Sequence, residues 1–373
     1  MGGNPRQERQ ACTSPCARRV RIVGHGLSQA GPAVLPRIPL GGPAQARSHE
    51  LGRSRIGGEA SLANDIVAIG GCCIDHLSIV TRTPDGWEQC GTPLVQGGGP
   101  AATGATAVAR LGGKVELWSY VGDDYHGQMI RRELERDGVD VSQIHVAPNH
   151  RSPSSYIEVD SETGERTIYG SGFDRRPIGV DACFDPSRAG AARSLLVTEF
   201  VPSVAVEAAK RVHASGGVVV ADLFRVDGPV SELVHYVDAL ILPEMSVESL
   251  AGRYDVPAAL GVLSDLGSTM PAITVGPKGC YYVSEGRVYH CPAFAIRAVD
   301  TTGCGDSFHG AYCYAMALGW GQHESIRFSS AVSAVKATRL GGRSGLPTLE
   351  AVIRFLEERP DQARARGLDG ALV

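Results

Sequence analysis

Asp300-Thr301-Thr302-Gly303-Cys304-Gly305-Asp306-Ser307-Phe308-His309-Gly310 places two glycines and a carboxylate where a helix is about to begin. Upstream, residues 294–299 (Phe-Ala-Ile-Arg-Ala-Val) read as a strand, and downstream Phe308, Ala311, Tyr312, Ala315 and Met316 recur at helical spacing as far as Gly319. The run is therefore predicted to be a strand-to-helix turn. Gly303 and Gly305 let backbone amides crowd an anion with no Cβ in the way, and unpaired amides at a helix start carry partial positive charge. Asp306 falls in the first turn, where the helix dipole favours its ionised form and where it can accept a proton from an alcohol. Such a turn can hold a phosphoryl group while a hydroxyl attacks it. Gly303, Cys304 and Gly305 would stabilise charge through their amides, with Asp306 as general base. Taken alone, the same residues also fit a plain glycine turn with an acidic first-turn residue.

Further motifs precede it. Gln96-Gly97-Gly98-Gly99-Pro100-Ala101-Ala102-Thr103-Gly104 leads into an Ala-rich segment ending at Leu111-Gly112, with Ala105, Ala107, Val108 and Leu111 suited to a buried helix face. Val121-Gly122-Asp123-Asp124 and Gly127 form another turn, and Thr274-Val275-Gly276-Pro277-Lys278-Gly279 follows the apolar pair Ala272-Ile273. Ile66-Val67-Ala68-Ile69-Gly70 reads as a buried strand, with Asp75 beyond its end, where α/β sheets place ligand contacts. A carboxylate there accepts two charge-assisted hydrogen bonds, which suits a vicinal diol; a lone Asp after a strand is also a common turn former.

In this order the motifs resemble the PfkB, or ribokinase-like, family of carbohydrate kinases, whose C-terminal signature is close to Asp-Thr-Thr-Gly-Ala-Gly-Asp. The resemblance implies a three-layer α/β/α core with a mainly parallel sheet, plus a small β lid over the sugar. It makes Asp306 the base, Gly303, Cys304 and Gly305 the anion hole, and Asp75, Gly98, Gly99 and Thr103 the substrate contacts. Thr274, Gly276, Gly279 and Thr301 fall on the nucleotide side. The implied cofactors are ATP and Mg2+, with K+ beside the anion hole near Asp300, Thr302 and the Gly341-Gly342-Arg343-Ser344-Gly345 loop. Family members often dimerise through the lid, so a homodimer is expected. Three positions depart from the pattern: Cys304 stands for Ala, Thr103 for Asn, and Pro243-Glu244-Met245-Ser246-Val247-Glu248 replaces the Asn-x-x-Glu linked to magnesium. The Gly-Gly-Gly-Pro-Ala-Ala-Thr run, Gly164-Glu165-Arg166 and Phe308-His309-Gly310-Ala311 resemble the branch containing bacterial sulfofructose kinase. A sulfonate or phosphate on the sugar would need a fixed cation, for which Arg166, Arg175, Arg176 and Arg225 are candidates.

Composition bounds the rest. Residues 61–373 suffice for one large kinase domain, and no apolar run approaches the ~20 residues of a membrane helix. Short β-rich runs alternate with helical stretches at 128–137 and 324–336, which predicts a parallel sheet covered on both faces. Residues 156–159 and 166–169 flank a turn-rich segment as a hairpin would, and with 77–98 they form the expected lid, spanning 153–170 on that side. Residues 1–60 hold nine arginines, no lysine, no aspartate and three glutamates. They read as an Arg-rich disordered extension or an organellar transit peptide. The net charge of −4 gives no case for nucleic-acid binding. The ten cysteines lack zinc spacing and read as reduced thiols of a cytoplasmic protein. Cys304 is either a reactive helix-start thiol or a small residue in place of Ala. His309 reads as packed or solvent-facing. The sequence reading is an ATP-dependent sugar kinase acting on a ketohexose or related sugar, sulfofructose being one case. Two alternatives stay open: a nucleoside kinase of the same superfamily, and a sugar-binding regulator without catalysis.

Overall fold

Ile66–Ile69 sets the pattern of the core, because its side chains alternate between two apolar clusters: Ile66 and Ala68 enter one, Val67 and Ile69 the other. A strand buried on both faces belongs inside a parallel sheet covered by two helical layers. The computed structural model describes residues 65–83, 88–172, 177–199, 202–224, 230–251 and 255–371. The Arg-rich segment 1–60 and the candidate cations Arg175, Arg176 and Arg225 lie outside them.

Ten strands follow the spatial order Arg366–Ala371, Arg287–Cys291, Cys280–Ser284, Ala272–Thr274, Ala239–Pro243, Val218–Ala221, Ser194–Val197, Ile66–Ile69, Val115–Gly122 and Ile144–Ala147. From Ala272–Thr274 onward every pairing is parallel, and the remaining strands add antiparallel to that edge. Helices Pro100–Arg110, Cys304–Ala317 and Gln322–Ala337 cover one face; Pro202–Ala214 and Val256–Asp265 cover the other. Strand order reverses between Ile66–Ile69 and Ser194–Val197, the point at which such sheets open a ligand crevice beyond their carboxyl ends.

Two glycines decide what lies over that crevice. A Cβ on Gly310 would run into the backbone of Gly104, and one on Gly104 would overlap Leu196 and come 3.3 Å from Asp306 O. Helices Pro100–Arg110 and Cys304–Ala317 therefore cross at backbone contact, which holds the start of one against the start of the other.

A second, five-stranded sheet consists of Cys73–Arg82, Glu88–Cys90, Leu94–Gly98, Ser154–Asp160 and Arg166–Ser171. Leu77, Ile157 and Val159 form its small core with Leu340. This is the expected lid, with one correction: it begins at Cys73, so Asp75 sits within its long strand and pairs in register with Gln96 and Ser155. A second correction concerns residues 294–299, which form no strand. The backbone donors of Val299 and Asp300 go to Ala337 O at 2.8 and 3.2 Å, at the end of Gln322–Ala337, instead of to a ladder. The run from Asp300 to Gly310 is thus a loop-to-helix turn.

Candidate active site

Helix Cys304–Ala317 starts at Gly303, whose φ of 75° is left-handed. A Cβ there would also lie 2.9 Å from Gly342 O. Asp300, fully buried, fixes the turn from behind: one carboxylate oxygen accepts from Thr302 N at 2.8 Å and the other from Gly341 N at 2.7 Å. The Cys304 amide, assigned from sequence to the anion hole, donates instead to Thr301 O at 3.2 Å. The amides of Gly305 and Asp306 follow it in the first turn, and a Cβ on Gly305 would meet nothing within 4 Å. Exposed Gly305 therefore borders open space at the positive end of a 14-residue helix, a place suited to an anion.

Asp306 lies in that turn with its carboxyl pushed up to about 6, first by burial and then by the negative charge of Asp222. Arg166 and His309 pull the other way, while Asp75 adds to the rise. An acid raised into this range is poised to accept a proton near neutral pH. Asp222 follows strand Val218–Ala221 and was not singled out from sequence; its position at the carboxyl end of a parallel strand was the available signal. It lies 3.5 Å from Nδ1 of His309. His309 is 2% exposed, so it is packed and not solvent-facing. Its Nδ1 is 2.8 Å from Gly305 O and its Nε2 2.9 Å from Ile241 O, pinning the helix start to a strand end.

The lid supplies the opposite wall. Asp75 is 5% exposed, accepts from Cys73 Sγ at 3.2 Å, and is raised by burial. A Cβ on Gly98 would run into its carboxylate, and one on Gly99, at φ 93°, would meet Gly71 O at 2.6 Å. The glycine run is thus what lets the helix start close over Asp75. Thr103 is enclosed at 1% exposure, its amide donating to Gly99 O at 2.8 Å. Sequence reasoning passed over Arg343 as a functional cation. It is 2% exposed and donates through Nη2 to Gly98 O at 2.6 Å, while its Nε and Nη1 have no partner. The buried Nε2 of Gln96 and Oγ1 of Thr302 are likewise unpaired, so several polar atoms remain unsatisfied around one space.

The tip of the lid hairpin reaches the turn at Asp300–Asp306. Gly164 O accepts from Thr301 N at 3.2 Å and from Thr301 Oγ1 at 3.1 Å, while Arg166 Nη1 donates to that hydroxyl at 3.0 Å. Thr301 anchors the lid in this arrangement, and Arg166 lies beside the phosphate turn, near the charge of Asp306. Behind the turn, Lys336 is fully buried and donates to Asp300 O at 2.8 Å. A K+ shell built on Asp300 and Thr302 does not fit these neighbours. The Lys336 ammonium already sits on the Asp300 carbonyl, 4.0 Å from a carboxylate oxygen, so a cation on the same oxygens would meet it with like charge. Burial also pushes the Cys304 thiol up, so Cys304 is the small residue in place of Ala and not a reactive thiolate.

At the turn expected from sequence to face a nucleotide, strand Ala272–Thr274 runs into a tight turn closed by Val275 N on Gly279 O at 2.8 Å. Gly279 is forced by the backbone of Cys291; Gly276, at φ 52°, borders open space. Glu244 opens helix Glu244–Ala251 at the neighbouring strand end, and the side chain of Glu248 lies outside the described residues.

A model of the pfkB family carbohydrate kinases matches residues 63–349. Ribokinase of Schizosaccharomyces pombe is 30% identical over 309 residues, which cover 78% of this chain and 93% of that protein. Ribokinase of Haemophilus influenzae is 27% identical over 300 residues, covering 78% and 98%. The fold is similar to that of Arabidopsis thaliana ribokinase complexed with ribose and ATP, with a TM-score of 0.67 and 23% identity over 79% of this chain and 99% of that one. Matched by that family model over most of its length and sharing its relatives' fold, the chain belongs to the pfkB family of carbohydrate kinases and is an ATP-dependent sugar kinase.

Proposed function

We propose that the protein transfers the γ-phosphoryl group of Mg-ATP to a hydroxyl of a small sugar held between the lid strands and the start of helix Cys304–Ala317. The observation that carries this reading is the backbone crossing of Gly104 and Gly310, and the electrostatic reach of Asp75 to Asp306 supports a site bounded by the Gly305 amide on one side and Gly98 on the other. Asp306 takes the proton of the attacking hydroxyl. The Gly305 and Asp306 amides, with Arg166 beside them, stabilise charge on the group in transfer. The 274–279 turn receives the nucleotide, Gly276 offering it an unobstructed backbone. Mg2+, when bound, would neutralise charge on the phosphates, with water and phosphate oxygens completing most of its coordination. The lid excludes water, to which the phosphoryl group would otherwise be lost.

The ribokinase relatives support a pentose or ketohexose as acceptor. One observation favours a second reading, a sugar with an anionic tail such as sulfofructose: Arg343 offers two unpaired guanidinium nitrogens beside Gly98. The unpaired thiols among the described cysteines support a cytoplasmic setting. No described helix is long and apolar enough to cross a membrane.

ADP release from Mg-ATP, screened over pentoses, ketohexoses, sugar phosphates, sulfofructose and nucleosides, tests the assignment. A sugar is expected to exceed nucleosides in kcat/KM by about 10²-fold or more, the discrimination a site built to pair sugar hydroxyls achieves. Release with nucleosides alone would transfer the chain to the nucleoside kinases, and saturable sugar binding without any release would make it a regulator.

The lid also supports a homodimer. His76, Val95, Tyr156 and Tyr169 stand in one cross-strand row, and Val95, Tyr156 and Tyr169 are 39%, 57% and 50% exposed. An apolar row of this kind on a sheet face marks an interface. Sedimentation should return the mass of two chains, and Tyr156→Lys should halve it; a wild-type monomer would refute the lid dimer.

A further inference from the structure

We infer that Lys336 is a built-in cation that takes the place of a monovalent metal ion behind the phosphate-binding turn, so that catalysis by this enzyme does not depend on K+. The inference rests on the kinase reading for its consequence and on geometry for its substance. Lys336 sits in the last turn of helix Gln322–Ala337 and is 0% exposed. Its Nζ donates to Asp300 O at 2.8 Å and stands 4.0 Å from Asp300 Oδ2. Asp300 is the residue on which a K+ site was expected, and it too is 0% exposed.

A lysine is seldom buried whole, because removing an ammonium from water is costly unless charge and hydrogen bonds offset the loss. Here the compensation comes from the elements that would otherwise line an ion site. Asp300 gives the counter-charge and the carbonyl. The 341–345 loop closes over the helix end: Gly341 N donates to Asp300 Oδ2, and a Cβ on Gly345 would lie 2.6 Å from Lys336 O. An ion bound on the same oxygens would meet Nζ at contact distance with like charge, so the two exclude one another.

The position also accounts for what the charge does. Burial, and to a lesser degree Arg166, works against the Lys336 ammonium, while the carboxylates of Asp300 and of Asp306, on the first turn of the phosphate helix, work for it. Its field therefore reaches the turn where the transferring phosphoryl group would develop negative charge. A K+ ion would supply the same single charge from the same side. An ammonium tethered to a helix supplies it without a binding equilibrium, and no salt requirement follows.

The test reads ion binding and turnover separately. With the full-length protein in tetramethylammonium chloride, replacement by KCl or NaCl at equal ionic strength should shift Tm by no more than about 1 °C, because a ligand that does not bind the folded state cannot stabilise it. ADP release, once a sugar acceptor is in hand, should agree within about twofold among the three salts, since the fixed charge is already present. Lys336→Ala should lose about 10²-fold in rate without K+, in line with removal of one oriented electrostatic group, and should regain part of it as K+ enters the vacated space. A saturable, K+-specific rise in wild-type Tm would overturn the inference, whether or not an acceptor is known. K+ stimulation of wild-type turnover by tenfold or more would overturn it as well. A chain that releases no ADP with any acceptor removes the kinase reading instead, and the Tm series still decides whether Lys336 excludes the ion.

Discussion

Asp306→Asn is expected to lower kcat by about 10²- to 10⁴-fold, the contribution of a positioned general base, with nucleotide affinity nearly unchanged. The substitution is nearly isosteric, and the amides that border the anion space belong to the backbone, so the phosphate turn keeps its shape. Only proton acceptance is lost. The pH profile gives a second readout with a definite sign. Asp306 works ionised, and burial with the neighbouring Asp222 carboxylate pushes it up to about 6. Wild-type kcat/KM should therefore be flat above neutrality and fall tenfold per pH unit on the acid side of about 6. In Asp306→Asn this limb should vanish along with the rate. An unaltered kcat would dismiss Asp306 as the base. An acid limb that persists in the variant would assign the titration to another group, with Asp222 the first to test.

The phosphate side of this site is legible in the chain because its parts are local. Asp300, Gly303, Gly305 and Asp306 fall within one short run, and helix periodicity downstream of Phe308 says where the amides must point. What escaped is made by distant segments. Arg343 meets Gly98 across 245 residues, and His309 meets Ile241 across 68. Lys336 reads as an ordinary last-turn lysine until Asp300 folds beneath it. The strand expected at 294–299 failed for a related reason: its residues suit an extended chain, but their backbone donors found a helix end before any ladder partner. The fold class was robust to such errors. Burial of every residue along Ile66–Ile69, alternately toward two apolar clusters, requires two covering layers whatever happens at a single edge. The lid was recognised but begun four residues late, and that shift moved Asp75 from a loop into a strand.

That relocation sharpens the second large effect, the loss of sugar affinity in Asp75→Asn. In a loop, Asp75 could swing away from a ligand; in Cys73–Arg82 it is fixed by ladders on both sides, opposite Gln96 and Ser155. Its carboxylate lies against Gly98, where any Cβ would displace it. A charged acceptor held this firmly can take two hydroxyl donors of one sugar. The variant keeps one oxygen and turns the other into a donor. Hydrogen bonds to a charged group contribute about 1.5–3 kcal/mol each, so KM for the sugar should rise about 10²-fold. The change in kcat should be much smaller, because the lost contact is made in ground and transition states alike. Gly98→Ala should reproduce the same split by pushing the carboxylate aside while leaving its charge. Two variants that alter one geometry by different means guard against a folding artefact, and Tm recorded for both separates lid damage from lost recognition. A sugar KM within about twofold of wild type in both, less than the loss of even one such bond, would remove Asp75 from the sugar site. Its burial would then serve lid packing and the neighbouring Arg343 charge alone.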